Sequence, residues 1–127
     1  MPKDKWPNEN EHITYDVVYR ATKHTVNLTY EDFIPSNIEN ENAMDTFKKF
    51  QKSDYSVSLF TDLEVLKSKT SFSKKYNSYS KGFTSNKRGI STRESESKHV
   101  NYYLYDYIEN SPCDDFSVIE VIDNEEW

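Results

Sequence analysis

Apolar and polar residues alternate with a period of two in four separate stretches of this chain, and a period of two belongs to a strand with one buried face. The first runs from Ile13 through Tyr15 and Val17 to Tyr19, with Val18 hinting at some cover on the other face. The second sets Tyr55, Val57 and Leu59 against Ser56, Ser58 and Phe60. The third, Val100 to Ile108, is dense in tyrosine, and the fourth places Phe116, Val118, Glu120 and Ile122 on one face. Val26 to Leu28 reads as a short further strand after a turn at Lys23 to Thr25, and Gly89 to Ser91 as another inside a polar loop spanning Gly82 to Lys98.

Helical signals are fewer. Thr29-Tyr30-Glu31-Asp32 has the composition of a helix start that Pro35 cuts short. Met44, Phe47 and Phe50 recur at three-residue spacing and predict a short helix over 43–52. Thr61 and Glu64 form a capping-box pattern, in which each side chain satisfies a free backbone donor of the first turn. The helix they open carries Leu63 and Leu66, and its stripe extends on paper through Phe72, Tyr76, Tyr79 and Phe83 with Gly82 as its stop. The sum is a small single α+β domain over 13–122, with a mainly antiparallel sheet and two or three helices. Residues 1–12 read as a loose lead-in and 123–127 as an acidic tail.

In a chain of 127 residues, an apolar share of 35 % lies below the usual ~45–50 %, a figure that also counts glycine. Aromatic side chains make up 15 %, and each buries roughly 150–250 Å², so the core rests on a few large rings. Only Gly82 and Gly89 occur, which excludes a P-loop and a Rossmann fingerprint, because both need several glycines for the backbone to approach a phosphate. Cys113 is the single cysteine, no apolar leader follows Met1, and no stretch approaches the ~18 apolar residues of a membrane span. These features predict a cytoplasmic protein without a membrane partner. Thirteen Lys against three Arg, with abundant Asn, Tyr and Ser, fit an AT-rich coding sequence such as that of a low-GC bacterium, a mobile element or a phage.

Charge is sorted into blocks within a net charge of −6. Lys67 to Lys98 holds nine basic and two acidic side chains, whereas His99 to Trp127 holds eight acidic ones and no Lys or Arg. Asymmetry of this size bears on partners: either the basic block folds back on the acidic one, or it meets a polyanion. Bases and rings interleave at Lys74, Lys75, Tyr76, Tyr79, Lys87 and Arg88, the residue types that single-stranded nucleic-acid binding requires. The alternative is a buried aromatic stripe with a solvated lysine face. Adjacent acids such as Asp114-Asp115 and Glu125-Glu126 read as solubility charge, and His12, His24 and His99 lack metal-site spacing. His99 opens the tyrosine-rich strand after a polar loop, a position suited to an active-site side chain.

Tyr19-Arg20 at the end of the first strand, Ser56-Val57-Ser58 on the middle strand and Glu94-Ser95-Glu96 after the loop follow one another in the order Arg, Ser-x-Ser, Glu-x-Glu. That order resembles the pattern of the ADP-ribosyltransferase toxins, with Val57 where the family has Thr and with a chain short for that fold. The resemblance implies an NAD-using enzyme in which Arg20 holds the NAD phosphates, Ser56 orders the pocket and Glu96 stabilises the charge developing on the ribose. Glu94 and His99 would then complete the site. The main expectation is different: a protein that binds another macromolecule, foremost another protein, as an inhibitor or accessory factor. It assigns no chemistry, cofactor or metal to the chain, and its warrant is tyrosine-rich strands beside segregated charge.

Overall fold

A computed structural model describes residues 6–39, 55–70, 75–94 and 97–122. The alternating stretches become strands, because a pleated backbone sends successive side chains to opposite faces and lets each stretch bury one of them. In chain order these are β1 (Val18–Thr22), β2 (Val57–Phe60), β3 (Ser78–Gly82), β4 (Gly89–Arg93), β5 (His99–Leu104) and β6 (Phe116–Val121). Two α-helical pieces accompany them, the single turn α1 (Ser36–Glu39) and the eight-residue α2 (Leu63–Thr70), together with short 3-10 turns. The strands form one sheet in the order β4-β5-β2-β1-β3-β6. Every neighbouring pair is antiparallel.

Both faces of the sheet's centre are covered. On one face Val18, Val57, Leu59, Val100 and Tyr102 pack with Phe33 and Phe116, whose rings lie 4.9 Å apart. On the other, Leu66 of α2 packs on Ala21 and Tyr79, with Tyr19, Phe60 and Leu63 around them. Each fully buried aliphatic side chain here contributes roughly 1.5–3 kcal/mol relative to exposure. The described chain is thus an α+β domain on an antiparallel sheet, with less helix than the two or three helices expected. The helix expected over 43–52 lies outside the described residues.

Several local expectations are corrected. The first strand begins at Val18 rather than Ile13, and Val18 is fully buried while Val17 is 41 % exposed. A bend at Asp16-Val17 reverses the alternation, because residues 13–15 pair with Ser91 and Thr84 whereas β1 takes its register from β3, Val18 opposite Gly82. Val26 to Leu28 forms bends, not a strand. The cap of α2 is Asp62, whose carboxylate accepts the Glu64 and Val65 amides at 2.9 and 3.2 Å, while Thr61 bonds to the Lys98 carbonyl. The extended helical stripe does not form. At the end of α2, Ser68 and Thr70 bond back to the Val65 and Leu66 carbonyls, and Tyr79 enters β3 between Ser78 and Ser80. Gly82 is not a helix stop but a strand residue, where a Cβ would collide with the Phe116 ring. The 3-10 turn at Tyr30–Asp32 does carry the expected start: Thr29 and Asp32 form a reciprocal capping box.

Candidate functional site

The described residues of the Arg, Ser-x-Ser, Glu-x-Glu pattern do not assemble. Arg20 is 9 % exposed, and its guanidinium donates to the Asp32 carbonyl at 2.5 Å and the Ser58 carbonyl at 2.9 Å while stacking on Phe33. It stands on the Phe33 face with Val18 and Thr22. His99 packs on Phe60, on the α2 face. Ser56 is buried and donates to Asn101 at 3.2 Å. Glu94 pairs with His99 at the rim of a cavity of about 390 Å³ beside α2, and Glu96 lies outside the described residues. Arg20 and the Glu94–His99 pair therefore occupy opposite faces of the sheet.

The basic and aromatic set is divided as well. Tyr79 is only 6 % exposed and Tyr76 packs beside it, so these rings belong to the core rather than to a stacking platform. Lys75 lies over the Tyr76 ring, Lys87 is exposed, and Lys74 lies outside the described residues. Arg88 pairs with Asp115 at 3.2 Å and Lys67 with Glu120 at 2.8 Å. The basic block is therefore partly an internal partner of the acidic block, joined to it by the pairing of β3 with β6. Among the described residues no three His, Cys, Asp or Glu side chains converge as a metal site, and no helix is long and apolar enough to cross a membrane.

What the sheet presents to its surroundings is decided at its two edges. The outer edge of β4 is covered by residues 8–15, so residues 8–12 are a strap on the sheet rather than a loose lead-in. Ile13 donates to the Ser91 carbonyl at 2.8 Å, and the Ser91 amide donates to His12 Nδ1 at 3.0 Å. Trp6 packs against Tyr103 and Tyr105 at 6.0 and 5.9 Å. The outer edge of β6 has no partner strand among the described residues. A groove of about 740 Å³ runs along it, walled by residues 25–28 on one side and floored by Cys113, Asp114 and β6. Three aliphatic side chains at this groove are exposed: Val26 at 76 %, Val121 at 58 % and Ile119 at 46 %.

The wall is held by one buried carboxylate. Asp32 accepts hydrogen bonds from the amides of Lys23 (2.7 Å), His24 (3.1 Å) and Thr29 (3.0 Å), and pairs with the His24 ring at 2.7 Å. Burial alone would raise its pKa, but these bonds outweigh burial and hold the carboxyl below its ordinary 3.8. Ser78 and Asn77 side chains bind the His24 and Lys23 carbonyls, which anchors the base of the loop to β3. The wall is thus preorganised while its tip, Val26, stays in solvent. Sequence reasoning missed this groove, although one signal was available: Ile119 and Val121 make the second face of the fourth alternating stretch apolar too. Comparison of the chain with protein-family models, with curated proteins and with solved structures finds no match.

Proposed function

We propose that this protein is a binding module that recognises another protein at the β6 edge by adding an extended segment of that partner to the sheet. The observation that carries the reading is the edge of β6, which has no partner strand among the described residues, beside a groove with exposed Val26, Ile119 and Val121. An edge strand offers a row of unsatisfied N–H and C=O groups that a second strand can complete. In strand addition these main-chain bonds supply affinity, and pockets for alternate side chains supply specificity. The irregularity in the β3–β6 register between Tyr79 and Ser80 twists the edge and disfavours indiscriminate pairing. Cys113 lies at the groove as a free thiol, which fits work in a reducing compartment such as the cytoplasm. The test is selection from a displayed library of linear peptides on the wild type and on an Ile119→Ser/Val121→Ser double variant. Both replaced side chains are exposed, so the variant should fold. Enrichment is expected on the wild type and lost on the variant; no enrichment, or equal enrichment on both, sinks the reading.

A further inference from the structure

The charge around this edge narrows the partner, and the inference rests on the strand-addition reading above. Asp114 and Glu120 both line the groove, and no Lys or Arg does. Two cations near this end are engaged within the chain, Lys67 with Glu120 and Arg88 with Asp115. Asp114 is exposed and has no ion-pair partner among the described residues.

We propose that the groove along β6 takes a basic extended segment of a partner protein, in which a Lys or Arg near Asp114 alternates with apolar residues set against Val26, Ile119 and Val121. Three occupants compete for an open edge, and the charges separate them. A second copy would bring its own Asp114 and Glu120 and a net charge of −6 to the same place, so like charges would face each other across the new pair. A nucleic acid would set phosphates against the same carboxylates. A basic strand meets complementary potential, which speeds encounter and selects against acidic competitors. Because Asp114 is exposed, it should be worth about two- to fivefold in affinity, and its effect should be sensitive to salt.

The experiment uses the full chain and three synthetic peptides of one length: one alternating Lys with Val, one with Glu in place of Lys, and one with Ser. A fourth carries the Lys-Val sequence with alternate backbone nitrogens methylated, which keeps the charge and removes main-chain donors. Fluorescence anisotropy at low and high salt should show binding of the Lys peptide alone. Asp114→Asn should weaken that binding two- to fivefold and flatten its salt dependence. Equal binding of the Ser peptide, with Asp114→Asn silent, overturns the inference while leaving strand addition standing. Undiminished binding of the methylated peptide, or of the Lys peptide to the Ile119→Ser/Val121→Ser variant, shows diffuse attraction and overturns both readings. Concentration-dependent dimerisation lost in that variant makes the occupant a second copy and overturns the inference.

Discussion

At one end of the sheet β4 is sealed by the strap of residues 8–15; at the other β6 has no partner strand among the described residues and lies along a groove. The seal is built mainly from polar contacts. His12 Nδ1 takes the Ser91 amide, the Ser91 hydroxyl donates to the Ile13 carbonyl at 2.5 Å, and Thr84 exchanges bonds with the Tyr15 backbone at 2.9 Å. The open end is apolar at its rim and acidic in charge. A sheet of this size can leave both edges open or protect both. Protecting one and pairing the other with a rigid wall concentrates any recognition by strand addition at a single place. The two ends also differ in sensitivity: the wall depends on a buried carboxylate, the seal on a histidine and a tyrosine.

The largest effect is expected at the wall. Asp32→Ala strands three amides and the His24 ring, and should cost about 3–4 kcal/mol of unfolding free energy, read by denaturant titration. A variant of wild-type stability would show that the loop finds other partners. Since the Asp32 pKa is lowered on folding, its contribution is complete above the ordinary 3.8 and disappears as pH falls through the lower folded value. Acid should therefore undo the wall only well below neutral pH.

Next comes the turn that feeds β4. Tyr102 is fully buried, and its hydroxyl both accepts from the Ser85 amide and donates to the Ser85 carbonyl at 3.0 Å. Desolvation pushes its pKa up to about 12 from 10.0, so its contribution is full below pH 10 and is lost as pH rises towards 12. The loss amounts to about 2–3 kcal/mol, and a tyrosinate absorbance titration should show Tyr102 and Tyr103 ionising late, with Tyr102→Phe removing one of the late groups. If every tyrosine titrates as in the unfolded chain, Tyr102 does not clamp this turn.

Third, the strap should respond to mild acid while the groove wall does not. The Ser91 amide donates to His12 Nδ1, which must therefore be unprotonated, and burial lowers the His12 pKa from 6.5. A lowered histidine pKa stabilises the fold above 6.5, and that contribution is lost as pH falls through the folded value. Hydrogen-exchange protection of Ser91, corrected for the intrinsic rate, should drop over that range, and His12→Phe should make it independent of pH. Equal loss of protection at residues 23–29 would erase the distinction between the two ends. The smallest effect belongs to the pairs that tie the charge blocks together. Lys67–Glu120 and Arg88–Asp115 are partly exposed, and high salt should cost no more than about 1 kcal/mol of stability in all. A larger loss would mean that the charge blocks hold the sheet together, which the apolar packing on both faces argues against.

The parts of the fold legible beforehand are those in which cause and effect lie within a few residues. Val57 and Leu59 alternate with Ser58 and Phe60 and are buried as the pattern says. Thr29 and Asp32 sit three apart and close their capping box within one turn. Burial parity in β1 was not legible, because it is set by β3, whose partner residue for Val18 is Gly82. Nor was the strand at Ser78–Gly82, where the helical spacing of Tyr76, Tyr79 and Phe83 competed with a real alternation of Ser78, Tyr79, Ser80 and Lys81. Of the expected site residues, Arg20 became a core side chain because the Asp32 and Ser58 carbonyls converge on it from segments far along the chain.

Composition and pattern settled that this chain makes an antiparallel sheet, that rings supply part of its core, and that an acidic block follows a basic one. Those properties are local or additive, so they survive without knowledge of neighbours. Which strand stands in the middle, which edge is sealed and which tyrosines are buried emerged only on folding. They depend on pairings such as β3 with β6 and the strap with β4, and no local propensity records which distant segment a strand will meet. The β6 groove is of that kind, because residues 25–28 and 113–121 acquire a common surface only once the sheet has formed.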